Sequence, residues 1–96
     1  IVAVDYDMCA PAAVAKKAAL FLTDDRDQFL ANRTNEQFAG YPEPGAMIGE
    51  AIAEGTPRPV GRVLVTHLGA GLADVVFGDA ILRIAAARDI GTILER

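Results

Sequence analysis

The sequence has no tryptophan, one cysteine and one histidine, and aromatic residues fill only 6% of its 96 positions. A lone Cys9 has no partner for an internal disulfide and fits a reducing, cytoplasmic setting. With His67 as the single histidine, neither a Cys/His metal cluster nor a Ser/His nucleophilic pair is supported. Clustered Lys and Arg are also missing, and the formal net charge is -4. Nucleic-acid binding needs clustered cations to displace counterions, so that class is set aside. An acidic surface likewise disfavours adhesion to anionic membranes. No apolar run approaches the roughly 18 residues of a membrane-spanning helix. No signal-peptide pattern stands at the start. An initiator methionine is absent too, and Ile1-Val2-Ala3-Val4 already reads as a buried strand. The expectation is therefore a piece cut from a longer protein.

What is present is globular: 52% hydrophobic and 23% charged residues are too apolar for disorder. The length suits one small domain or part of a larger one. Ile1–Asp5 reads as a strand, with β-branched Val2 and Val4. Pro11 suits a helix start, and Ala12–Ala18 follows as about two turns with Lys16 and Lys17 near its end. Leu20–Thr23 is a second strand, after which Asp24 or Asp25 caps a helix to about Asn32. Gly40, Pro42, Pro44 and Gly45 mark a loop. Ala46–Ala53 reads as a short helix, and Gly55, Thr56, Pro57 and Pro59 break the chain again. Arg62–His67 is the strongest strand pattern.

Leu72–Arg88 is the strongest helix pattern. Leu72, Val75, Val76, Ala80, Ile84 and Ala87 form an apolar stripe, and Asp79 and Arg83 stand four apart. Gly91 is the expected stop, with Thr92–Leu94 as a terminal strand. The order is β-α-β-α-α-β-α, an α/β layered fold of partial Rossmann-like type. Phe21, Phe29, Phe38 and Phe77 are expected in its core.

The stretch from His67 to Asp74 carries the most chemistry: strand, glycine turn, helix start. Free N–H groups at such a start favour an anion or the polar edge of a cofactor, and glycine lets a ligand approach the backbone. The plain alternative is a tight turn into a packed helix. Gly69-x-Gly71 is not a dinucleotide fingerprint, because Asp74 stands at the third glycine position and too few residues follow. Asp74 itself suits the helix dipole. His67 is a candidate acid or base, or a cofactor contact, with a structural role as the alternative. Asp7, just past the first strand, is a candidate general base or amine anchor, because ligands of open α/β sheets sit at carboxyl ends of strands; a turn-forming, helix-capping Asp is the alternative. The run Asp24-Asp25-Arg26-Asp27 reads as a capped helix start rather than a metal site, since consecutive carboxylates do not converge.

Three segments together resemble a family pattern. They are the strand ending in acid at Phe21-Leu22-Thr23-Asp24-Asp25, the segment Ile48-Gly49-Glu50-Ala51-Ile52-Ala53-Glu54-Gly55, and Leu68-Gly69-Ala70-Gly71-Leu72-Ala73-Asp74 before an Ala-rich helix. Their order and spacing, over most of residues 19–94, resemble the ornithine cyclodeaminase/mu-crystallin family. That resemblance implies an NAD or NADP cofactor and a small amino or imino acid substrate. It implies a cytoplasmic homodimer whose subunits join a Rossmann-type domain to a dimerising domain.

On the same resemblance, residues up to about 60 end the cofactor domain. Residues from about 61 to 96 return to the dimerising domain, the long helix with them. Thr66, His67, Leu68 and Gly69 match the loop nearest the nicotinamide, although family members usually carry Ser where His67 stands and often Lys where Thr66 stands. Asp7, or Asp5 one alternate position earlier, matches an acid that acts on the substrate amine. The parent would be a cyclodeaminase, amino-acid dehydrogenase or imine reductase, and this piece alone would be inactive. The alternative is a non-catalytic ligand-binding or dimerisation module of the mu-crystallin kind.

Overall fold

The computed structural model describes residues 1–4, 10–35 and 37–94. Strand β1 (Val2–Ala3) leads through residues outside that set to helix α1 (Ala12–Lys16). Pro11 caps α1 in an extended conformation, as a residue without an N–H can at no loss. Strand β2 (Leu20–Thr23) and helix α2 (Arg26–Thr34) follow. Asp25 rather than Asp24 is the N-cap, and its Oδ1 accepts the Gln28 N–H at 2.9 Å.

The expected single helix over Ala46–Ala53 is instead strand β3 (Ala46–Met47) running directly into helix α3 (Ile48–Ala53). Sheet pairing overrides local helix preference here: Ala46 and Met47 lie opposite Leu22 and Thr23 at the edge of β2. The Glu50 carboxylate then accepts the Met47 N–H at 2.8 Å, which starts α3 after Met47. Among the described residues the order is therefore β-α-β-α-β-α-β-α, with β3 as a strand that the expected order lacked.

Strand β4 (Val63–Thr66) is the centre of the sheet, which runs β1-β4-β2-β3 with every pair parallel. Side chains of a strand alternate between faces. Ala3, Phe21, Thr23, Leu64 and Thr66 are buried on one face. Phe29 of α2, fully buried, packs there edge-on to Phe21, with ring centroids 5.4 Å apart. Phe38 and Tyr41 complete the aromatic cluster at 4.8 Å from Phe29 and 6.0 Å from Phe21. The Tyr41 hydroxyl donates to the carbonyl of Ala10, which ties the loop to the start of α1. Three of the four phenylalanines expected in the core are there.

The fourth is not. Helix α4 (Gly71–Ala87) forms where the apolar stripe predicts it, and Asp79 pairs with Arg83 along its side, but none of its residues is buried. Phe77 is 67% exposed. Helical periodicity fixed the local conformation and left the packing partner unspecified. The helix also ends before the expected Gly91. Asp89, at φ 55°, takes the left-handed position, and Ile90 N–H reaches back to the Ala85 carbonyl at 2.9 Å, a Schellman closure built on Asp instead of Gly. Residues 92–94 pair with no strand, so the expected terminal strand is absent. With α4 off the sheet, the radius of gyration is 17.3 Å, against about 12.5 Å for a compact chain of this length.

Candidate functional site

A parallel sheet brings the carboxyl ends of its strands to one edge, where open α/β sheets take their ligands. On this edge β2 ends at Thr23 and β4 ends at Thr66, opposite each other in register. The next residues of the two strands meet. Asp24 turns its carboxylate onto the backbone that follows β4: Oδ2 accepts N–H groups from Leu68 at 2.9 Å and Gly69 at 2.8 Å. Its Oδ1 accepts Asp25 N–H at 3.0 Å, and the Thr23 hydroxyl donates to the same oxygen at 3.3 Å. Only 9% of the Asp24 side chain is exposed.

Two effects act on this carboxyl. Burial raises its pKa, and hydrogen bonds from the amides of Leu68, Gly69 and Asp25 lower it more, so the net value is below that of an ordinary aspartate. Asp24 is thus ionised at neutral pH with its acceptor positions filled. It is a positioning residue, which fixes the path of the chain between β4 and α4.

His67 stands beside it. Its Nδ1 lies 3.7 Å from Asp24 Oδ2, beyond hydrogen-bond range, and 41% of its side chain is open to solvent. The His67 backbone N–H is held by the Ala3 carbonyl at 2.8 Å, which anchors the residue to β1. Gly69 has φ 89°, a conformation that side chains other than glycine's rarely adopt. A Cβ placed on Gly69 would meet nothing within 4 Å, so the backbone conformation and not crowding favours glycine there.

Of the residues singled out in the sequence, His67, Leu68 and Gly69 therefore lie together at the carboxyl edge. Leu68 contributes in a different way from the others: its side chain is buried in the core cluster, and its N–H is taken by Asp24. Asp7 and its alternative Asp5 lie outside the described residues. Asp74 is exposed in the first turn of α4, where a carboxylate suits the helix dipole. Among the described residues no group of three His, Cys, Asp or Glu side chains is arranged to hold a metal ion.

Sequence reasoning missed Asp24, which read as one more acid in a capped helix start. The signal was there: a helix has one N-cap, so two adjacent acids at its start leave one carboxylate free for another task.

A dinucleotide presents a charged pyrophosphate and an uncharged nicotinamide carboxamide. The Leu68 and Gly69 N–H groups are occupied by a carboxylate, whose negative charge also repels phosphate. The turn therefore does not fit the pyrophosphate.

The fold is that of a small α/β domain with a four-stranded parallel sheet. Compared with known proteins, the chain matches no family model, no curated protein and no solved structure. Among the described residues, no helix is long and apolar enough to cross a membrane.

Proposed function

We propose that this chain supplies the nicotinamide-facing edge of an NAD(P)-dependent enzyme acting on amino or imino acids, a cyclodeaminase, amino-acid dehydrogenase or imine reductase. The observation that carries this reading is the Asp24 carboxylate gripping Leu68 and Gly69, which holds His67 and the open Gly69 turn at the ligand edge of a parallel sheet. The resemblance of Leu68–Asp74 and the two upstream segments to the ornithine cyclodeaminase/mu-crystallin pattern supports the same reading. In it, His67 and Gly69 border the nicotinamide, Asp24 holds them in place, and Asp7 or Asp5 is the acid that receives or returns a proton at the substrate amine. The bound cofactor supplies the hydride chemistry.

The sequence has no glycine-rich phosphate loop, since Asp74 replaces the third glycine after β4. The chain is therefore expected to bind the nicotinamide half weakly and to turn over no substrate by itself. Amide chemical shifts recorded during titration with nicotinamide mononucleotide test the reading. Movement centred on His67, Gly69 and Ala70 is expected. Unmoved amides there at millimolar ligand would overturn it.

A binding or dimerisation module without catalysis is the second reading. Helix α4 favours it, because an apolar helix with no buried residue is a surface for a partner.

A further inference from the structure

His67 follows the last residue of β4 and so stands at the carboxyl edge of the sheet, with its Nδ1 3.7 Å from Asp24 Oδ2. Among the described residues no other acid lies within ion-pair distance of the ring. Both partners are held in place. The Asp24 carboxylate is pinned by the amides of Asp25, Leu68 and Gly69 and by the Thr23 hydroxyl, so its charge does not turn away. The His67 N–H is bound to the Ala3 carbonyl of β1, and the next residue, Leu68, is buried and bound to Asp24. Only the side-chain torsions of His67 remain free.

A neutral imidazole carries its proton on one ring nitrogen and a lone pair on the other. A fixed negative charge beside Nδ1 attracts an N–H there and repels a lone pair. The acceptor positions of Asp24 are already filled, so it acts on the ring through its charge and not by a hydrogen bond. That field needs no free lone pair. The ring is partly open to solvent, so Nε2, across the ring from Nδ1, exchanges protons readily.

We propose that Asp24 is a positioning residue for His67: its charge keeps the imidazole proton on Nδ1 and leaves Nε2 as a base for the nitrogen of an amino substrate. The substrate is taken from the cofactor reading, on which this step rests. An ammonium must lose a proton before a hydride can leave its α-carbon, because the nitrogen lone pair forms the C=N bond as the C–H pair departs. Nε2 takes that proton: one N–H bond of the ammonium breaks, its electron pair stays on the amine, and the ring becomes an imidazolium. The strand-end acid then serves the later proton exchange at the imine. Ser, usual at this position in the resembled family, has no comparable basicity, so the role belongs to this chain.

Nitrogen chemical shifts of the imidazole test the pairing. His67 is the single histidine, so one pair of ring signals reports it. They are recorded on the whole chain well above the usual histidine range, about 6.5, where the ring is neutral. The Nδ1–H form is expected to predominate, against the Nε2–H form that free imidazole side chains favour and that the same chain in urea supplies as reference. Asp24→Asn removes the charge with little change of shape and is expected to return the ring to mostly Nε2–H. Asp25→Asn, which alters the α2 cap only, is expected to leave it unchanged. A native chain with mostly Nε2–H, or an Asp24→Asn chain with the Gly69 amide unmoved and Nδ1–H still predominant, would overturn the proposal. The cofactor reading is decided separately, by the response of the amides to nicotinamide mononucleotide.

Discussion

Two phenylalanines, Phe29 and Phe77, each lie mid-helix, Phe29 in a mostly polar segment and Phe77 in an apolar one. Phe29 in α2 is fully buried, among Phe21, Phe38 and Tyr41. Phe77 in α4 is 67% exposed. The sequence around Phe77 is the more apolar of the two, so hydrophobicity did not decide the matter. The tether did. Helix α2 is anchored at its start by the Asp25 cap and follows β2 over a short turn, which lays it against the sheet. Helix α4 leaves β4 through a turn that Asp24 holds from outside, and it runs away from the sheet. One carboxylate caps α2, and its neighbour binds the turn after β4.

The comparison can be broken at its strongest point first. Phe29→Ala is expected to cost about 3–5 kcal/mol, because a large ring is removed from a filled cluster. Phe77→Ala, read in dilute monomer by urea unfolding, is expected to stay within about 0.5 kcal/mol. Equal losses at the two sites would mean that α4 packs on its own sheet.

The next effect concerns the clamp. Asp24→Ala leaves the Leu68 and Gly69 amides without their acceptor and is expected to cost about 1–3 kcal/mol. Asp25→Ala removes an ordinary cap, for about 1 kcal/mol. Asp24 also makes stability depend on pH. The folded-state pKa of Asp24 is lowered, so its contribution is fully present above the ordinary aspartate range and is lost as pH falls through the folded value. Acid unfolding curves of the native chain should therefore steepen below about pH 4. Asp24→Asn should flatten that limb, and a limb unchanged in this variant would contradict the clamp.

The smallest effect sharpens the turn. Gly69→Ala forces a side chain into φ 89° and is expected to destabilise by about 1 kcal/mol. Gly71→Ala, at the first residue of α4 with open space around it, is expected to stabilise by up to about 1 kcal/mol. Thermal melts of the pair in parallel show whether the signs differ as stated.

Much of the fold was legible. The strands at Leu20–Thr23 and Val63–Thr66 and the helices from Ala12, Arg26 and Gly71 lie within one or two residues of where pattern and caps predict them. Those signals are local, carried by period, by Pro11 and by the acids before α2. The parts that were not legible depend on distant partners. Ala46 and Met47 read as helix because nothing nearby in the chain announces the edge of β2. Gly91 read as the stop of α4 because an Asp in the left-handed position is uncommon, although Asp89 takes it. At the site, His67 and Gly69 stood out as a strand-end histidine and a turn glycine. Asp24 did not, because its partners Leu68 and Gly69 lie more than forty positions away.

The sequence by itself determined which segments are strands and which are helices, because backbone preference and side-chain period act over a few residues. It determined too that the chain has an apolar interior and an acidic balance. Tertiary structure alone decided that β4 would sit between β1 and β2, that Asp24 would bind the turn after β4, and that α4 would remain uncovered. Those outcomes depend on which surfaces reach each other once the strands have paired, and no local window of the chain contains both partners.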